Sequence, residues 1–120
     1  MFDKEVFDKE VFDKEVSKKE IIKKVIYDTV PFDLIESIII FGSQARNEGT
    51  KDSDTDICIV FKEELSRDDI KHYRTALNKM FAFDHHMATD IIMKSEYVYN
   101  RYKGVIGGLE YDIAREGIVL

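Results

Sequence analysis

The chain has 120 residues, of which 35% are charged, and its formal net charge at pH 7 is −6. This length suits one compact domain and leaves too little chain for a second, independently folded substrate-binding domain. The acidic balance argues against tight, sequence-independent binding to nucleic acid, because such binding depends on Lys and Arg displacing counterions.

Targeting signals and disulfides are absent from the sequence pattern. No apolar run reaches the length of a transmembrane helix, and the first residues lack the basic flank and hydrophobic core of a secretion signal. The single cysteine, Cys58, lies within an apolar run, so we expect a buried thiol and a reducing compartment. These features predict a cytoplasmic protein without a membrane partner.

The first sixteen residues consist of Met1 and three copies of the sequence Phe-Asp-Lys-Glu-Val, at residues 2–6, 7–11 and 12–16. A period of five does not stack side chains along one helical stripe, but it brings Glu5 to the favourable helical spacing from Lys9. We therefore predict a charged, helical extension over residues 1–16 that is dispensable for catalysis, and a folded domain over residues 17–120. Its Phe and Val side chains could alternatively pack against a partner subunit in a homodimer.

A predicted phosphate-binding turn follows the first helix and strand. An amphipathic helix runs from Ser17 to Tyr27 and ends before Pro31, and a β-branched run over residues 37–41 indicates a buried strand. Gly42 ends this strand, and Ser43 opens a short helix. Glycine allows a ligand to approach the backbone, and the free amides of a helix N-terminus attract phosphate.

Carboxylates precede the next apolar runs. Asp54 and Asp56 lead into a strand over residues 57–61, and their two-residue spacing places both carboxylates on one face of an extended chain. Asp90 begins a third apolar run, and pairing of the two strands would place it beside the other two. Hard oxygen ligands of this kind suit Mg²⁺, which is commonly completed by water and substrate phosphates.

Further helices connect and follow these strands. Ser66 is expected to cap a helix that runs through Phe81, and a second helix from Ser95 is expected to break near Gly104. The last helix is predicted over residues 106–116, capped by Gly117 and followed by a short strand. The pattern predicts an α/β (α+β) fold, in which helices flank one or both faces of a small mixed β-sheet. We expect the tyrosines of the last two helices to pack against the protein rather than to stack on a nucleobase. They are Tyr97, Tyr99, Tyr102 and Tyr111.

Five short motifs resemble the signature of the polymerase β-type nucleotidyltransferases, and of their minimal, MntA-like antitoxin subgroup in particular. They are Gly42-Ser43, Ala45-Arg46, Ser53-Asp54, Asp56-Ile57 and the later Asp90. The resemblance extends from about Glu20 to the C-terminus and implies the polymerase β-type fold. The family often has glycine directly after the arginine, whereas this chain has Asn47, which also tolerates a left-handed backbone.

The resemblance also implies roles for these residues. Asp54, Asp56 and Asp90 would be catalytic and would bind two Mg²⁺ ions. Nucleotide would be bound by Gly42, Ser43, Arg46 and Ser53. Arg46 could contact phosphate or form a salt bridge with Asp54 or Glu48, and the sequence favours neither.

The implied reaction transfers a nucleoside monophosphate, AMP in several relatives, from ATP or another nucleoside triphosphate to an acceptor hydroxyl. Some minimal members are antitoxins that adenylylate a HEPN-type toxin on tyrosine, so a partner protein is the expected acceptor. Three alternatives stay open: an antitoxin that acts by contact alone, transfer to a small molecule with the help of a partner subunit, and a structural role in which the repeated extension drives self-association. Nucleobase preference and oligomeric state are not specified by the sequence.

Overall fold

A computed structural model describes residues 18–42 and 54–120. The strands are β1 (Ile35–Phe41), β2 (Thr55–Phe61), β3 (Thr89–Ser95) and β4 (Ile118–Val119). The helices are α1 (18–29), α2 (Arg67–Lys79), α3 (Glu96–Tyr102) and α4 (Leu109–Glu116). The expected extension over residues 1–16 and the short helix that begins at Ser43 lie outside the described residues.

The four strands form one mixed sheet in the order β3-β2-β1-β4. β1 runs antiparallel to both β2 and β4, whereas β2 and β3 are parallel. Parallel neighbours need a crossover connection, and α2 provides it between β2 and β3. The predicted α/β fold with a mixed sheet is confirmed.

Helices cover both faces of the sheet. On one face, alternate strand residues such as Ile38, Ile57 and Ile91 join the larger buried cluster with residues of α1 and α2, among them Ile22 and Leu77. On the other face, which we call the α3/α4 face, a smaller buried cluster consists of Ile39, Cys58, Val60 and Ile113. Because both faces of β2 are covered, its sequence is a nearly continuous apolar run.

Helix caps follow the sequence closely at Ser66 and Gly117. The Ser66 hydroxyl accepts a hydrogen bond of 3.1 Å from the Asp69 amide at the start of α2. The Gly117 amide donates a hydrogen bond of 2.8 Å to the Ile113 carbonyl at the end of α4, and β4 follows directly. Both predicted caps and the predicted last strand are confirmed.

Two helix boundaries differ from the prediction. The α-helical part of α2 ends at Lys79, and a π-helical turn over Met80–Asp84 then carries the fully buried Phe81. The last helix begins at Leu109 rather than Ile106, because Gly107 has a φ of +90°, outside the helical region, and Gly108 caps the helix. Residues 103–108 are turns instead. Within the described ranges, no helix has the length and apolar character needed to span a membrane.

Candidate active site

The end of β1 and the beginnings of β2 and β3 meet at one end of the sheet. Phe41, the last residue of β1, is paired with Asp56 of β2, and Asp56 is paired with Asp90 of β3. Neighbouring strands are about 5 Å apart, so the two aspartates are direct neighbours. Asp90 was expected to lie beside Asp54 and Asp56, and the structure places it directly beside Asp56.

The carboxylates of Asp56 and Asp90 lie on the α3/α4 face of the sheet. Side chains alternate between faces along a strand, and Cys58 and Ile92, each two residues further on, both belong to the cluster on that face. Asp56 is half-buried, while Asp90 is exposed at the edge of the described sheet. A ligand can therefore reach Asp90 from solvent.

Asp54 lies immediately before β2 and is exposed. The following residue, Thr55, is buried, and its amide donates a hydrogen bond of 2.9 Å to the carbonyl of Ala88 in the segment before β3. This bond continues the pairing of the two strands beyond their first residues. It ties the segment that carries Asp54 to the segment that leads to Asp90.

Gly42 approaches the carboxylate of Asp56 directly. Its φ is +73°, in the left-handed region that side chains other than glycine rarely adopt. A Cβ atom at this position would collide with Oδ2 of Asp56. Only glycine fits this position, so the turn and the first in-strand carboxylate form one structural unit.

The donor set at this end of the sheet consists of carboxylate oxygens. Within residues 18–42 and 54–120, no group of three His, Cys, Asp or Glu side chains converges to a ready metal site. Two carboxylates on neighbouring strands repel each other unless a cation lies nearby, and like charges directly opposite are destabilising. Mg²⁺ commonly uses only one or two carboxylates together with water and phosphate oxygens, so Asp56 and Asp90 fit an ion that arrives with a nucleotide.

An ion pair on the same face was not expected from the sequence. Nζ of Lys94, four residues after Asp90 on β3, lies 3.2 Å from Oε1 of Glu110 on α4, and the two side chains are only 29% and 12% exposed. Burial by itself would raise the pKa of Glu110. Hydrogen bonds from its own backbone amide and from Lys94, together with the Lys94 charge, outweigh burial and hold this pKa below its ordinary value. A lone lysine inside an apolar strand was the available signal for a buried partner.

Cys58 lies behind Asp56 on the same strand and is fully buried. Burial raises the pKa of its thiol to about 12, with opposing smaller contributions from Lys94, which lowers it, and Glu110, which raises it. The thiol is therefore protonated at neutral pH and is a poor nucleophile. This confirms the expected core role of Cys58.

Three of the expected nucleotide-binding residues, Ser43, Arg46 and Ser53, lie outside the described residues. Their assignment stays a prediction. Of the expected site residues, the structure brings together Gly42, Asp56 and Asp90, with Asp54 directly before the strand of Asp56.

Solved structures with the same fold include toxin-antitoxin complexes. One with AMP-PNP has a TM-score of 0.58 at 19% identity, and the match covers 82% of this chain and 68% of that chain. A mutant MntA-HpeT toxin-antitoxin complex has a TM-score of 0.58 at 22% identity, covering 85% of this chain and 70% of that chain. A protein from Sulfolobus solfataricus described as a nucleotidyltransferase has a TM-score of 0.52 at 25% identity, covering 85% of this chain and 74% of that chain.

The comparison with curated proteins finds no match. The family model for the nucleotidyltransferase domain matches residues 19–114, which include Gly42, Asp54, Asp56 and Asp90. This match spans most of the chain and agrees with the mixed sheet and with the carboxylates at its end. The chain belongs to the nucleotidyltransferase domain family.

Proposed function

We propose that this protein transfers AMP from ATP to a hydroxyl group of a partner protein. The observation that carries the proposal is the in-register pairing of Asp56 with Asp90, next to the Gly42 turn, in a nucleotidyltransferase domain. Paired carboxylates at an accessible sheet end suit a reaction of a magnesium-bound triphosphate. The catalytic domain would correspond to residues 17–120.

The proposed reaction is an in-line displacement at the α-phosphorus. The acceptor oxygen forms a bond to this phosphorus, the bond to the bridging oxygen of pyrophosphate breaks, and the proton of the acceptor passes to Asp90. The Gly42 turn, with Ser43, Arg46 and Ser53, would hold the triphosphate. Asp54, Asp56 and Asp90 would hold two Mg²⁺ ions, which when bound would neutralise phosphate charge and polarise the α-phosphate.

A protein acceptor is supported by the fold relatives. Structures with this fold include toxin-antitoxin complexes, one of them solved with AMP-PNP. We infer an antitoxin that modifies a toxin of the HEPN type in the cytoplasm.

The test compares the full-length protein with a variant in which Asp54 and Asp56 are both replaced by Asn. Each protein is incubated with Mg²⁺ and α-labelled ATP in a lysate of its source, and labelled macromolecules are separated by size. We expect the transfer rate of the double variant to be lower by about 10²-fold or more, because the two carboxylates proposed to hold the metal-bound triphosphate have been removed. Its fold, followed by circular dichroism, should be retained.

The matched control is Asp33→Asn, which removes an exposed carboxylate from the 3-10 turn before β1. It should transfer label at the wild-type rate. Full transfer by the Asp54/Asp56 variant would contradict the mechanism. An absence of label with wild-type protein and each nucleoside triphosphate would instead favour an antitoxin that acts by contact alone.

A further inference from the structure

The hairpin formed by α3 and α4 carries a surface with the composition of a protein interface. Five of its residues, Tyr97, Tyr102, Val105, Ile106 and Leu109, are large hydrophobic residues that remain exposed, and Ile106 is 83% exposed. Isolated exposed apolar residues are ordinary, but five of them within residues 97–109 make this stretch a candidate site of interaction. We call these five residues and Arg101 the hairpin surface.

Arg101 is held in place between two of the exposed tyrosines. Its Nη1 donates a hydrogen bond of 3.0 Å to the hydroxyl oxygen of Tyr97, and its Cζ lies 5.8 Å from the ring centroid of Tyr102. In the part of the chain that the structure describes, Arg101 makes no ion pair with a carboxylate. A positioned guanidinium between aromatic rings is ready to bind a carboxylate from another molecule, and Arg and Tyr are enriched among the residues that dominate interface energies.

The aliphatic part of the hairpin surface is fixed by backbone hydrogen bonds. The Val105 amide donates to the Tyr102 carbonyl at 3.0 Å, and the Gly108 amide donates to the Val105 carbonyl at 3.2 Å. These bonds define the turn, yet Val105 and Ile106 are 52% and 83% exposed. Their apolar side chains therefore add little to the folded core, and polar residues would serve the turn equally well.

The hairpin lies over the same sheet face as the carboxylates. Tyr99 of α3 and Ile113 of α4 pack with Cys58 and Ile92, which alternate with Asp56 and Asp90 on their strands. A protein bound to the hairpin surface would therefore lie on the side of the sheet where the reaction is proposed to occur.

We propose that the hairpin surface docks the acceptor protein, through an apolar patch on that protein with a carboxylate that pairs with Arg101. The inference rests on the proposed function and adds the place and chemistry of acceptor binding. A protein is favoured over a nucleic acid for two reasons. Exposed aliphatic side chains contribute little to nucleic-acid binding, which depends mainly on cationic side chains. In this chain the 18 Lys and Arg residues are outnumbered by 24 Asp and Glu residues.

The first part of the test measures labelling rates in the source lysate with α-labelled ATP. The variants are Ile106→Asp and Arg101→Glu in the full-length protein, and the matched controls are Phe83→Asp and Lys79→Glu, both at exposed positions outside the hairpin surface. We expect each hairpin variant to lower the initial rate of labelling about tenfold or more, the usual effect of losing a central interface residue. Both controls should retain the wild-type rate.

Two further measurements separate docking from catalysis. The affinity of each variant for AMP-PNP in the presence of Mg²⁺ should equal that of the wild type, because the nucleotide site is unchanged. A photo-crosslinking amino acid is then placed at position 106 or at position 83. We expect the protein to be crosslinked to the labelled acceptor from position 106 and not from position 83. The labelled acceptor band should be degraded by protease and left intact by ribonuclease.

The outcomes distinguish the hairpin proposal from the proposed function. Undiminished labelling by both hairpin variants, a ribonuclease-sensitive acceptor, or a crosslink from position 106 to a second copy of this chain would overturn the docking surface while transfer itself stands. No labelled band with the wild-type protein would overturn the proposed function and, with it, the role of the hairpin surface in acceptor binding.

Discussion

At Gly42, a left-handed backbone and a close neighbour both exclude a side chain. We expect Gly42→Ala to destabilise the protein by about 1–2 kcal/mol from the backbone alone, because an L-residue is strained at a φ of +73°. The added Cβ also displaces the Asp56 carboxylate, and a displacement of about 1 Å at a reacting site costs about 10²-fold in rate. Urea unfolding and the AMP-transfer assay measure the two effects.

Gly104→Ala is the matched control for this substitution. A Cβ at Gly104 meets nothing within 4 Å, and its φ does not lie in the left-handed region. This variant should keep the wild-type stability and transfer rate. If Gly42→Ala behaves in the same way, then Asp56 is not held in place by the turn, and the two halves of the motif act independently.

Residue types along the sequence were sufficient to predict that Gly42 ends a strand and that Asp56 and Asp90 lie on neighbouring strands. A glycine at the end of one apolar run and carboxylates at the start of two others can be recognised from the neighbouring residues alone. The contact between Gly42 and Asp56 could not be predicted, because it depends on the antiparallel register that pairs Phe41 with Asp56 across fourteen intervening residues. Register follows from the packing of whole strands, which no single residue specifies.

Between elements, the Lys94–Glu110 ion pair joins β3 to α4, four residues along β3 from Asp90. We expect Lys94→Met to lower the free energy of unfolding at pH 7 by about 1–3 kcal/mol, because it leaves the largely buried Glu110 carboxylate without its cation. Lys24→Met is the matched control. It breaks the Lys24–Asp28 pair, whose side chains are 76% and 53% exposed, and should cost about 0–1 kcal/mol.

The effect of Lys94→Met should depend on pH. Since the folded-state pKa of Glu110 is lowered, its contribution to stability is fully present above its ordinary value of 4.5 and is lost as pH falls through the folded-state pKa. The difference between wild type and Lys94→Met in urea unfolding should therefore shrink below about pH 4.5. A difference that stays constant between pH 7 and pH 4 would show that Lys94 stabilises by packing and not by charge.

The elements themselves were predictable where local signals agree. The Ser66 cap and the apolar runs of β1, β2 and β3 are local signals in the sequence, and each lies in the element that it predicted. The π-helical turn at Met80–Asp84 was not predictable, because its residues continue the helical pattern of α2 in the sequence. The late start of α4 was indicated by Gly107 and Gly108, whose backbone preferences outweighed the apolar pattern at Val105 and Ile106.

At the scale of the whole molecule, the last residue of β1 and the beginnings of β2 and β3 lie at the same end of the sheet. An antiparallel β1–β2 pair and a parallel β2–β3 pair are both needed for this, so the site depends on the mixed topology. The sequence predicted one strand that ends in the Gly42 turn and two strands that have carboxylates at their beginnings. The strand order depends on which pairs bury the most apolar surface together, so it could not be deduced from the separate segments.

The described core begins close to the start of the match to the nucleotidyltransferase domain. Its first buried side chain is Ile22, and the match to the nucleotidyltransferase domain starts at residue 19. We therefore expect deletion of residues 2–16 to change the free energy of unfolding by no more than about 0.5 kcal/mol and the transfer rate by no more than about twofold. Urea unfolding, the AMP-transfer assay and the mass in solution should be measured on both forms. The reason for this expectation is that the described residues already contain the sheet and the paired carboxylates. A large loss of transfer on deletion, or a dimer that becomes a monomer, would contradict it and would show that the repeated segment is part of the functional protein.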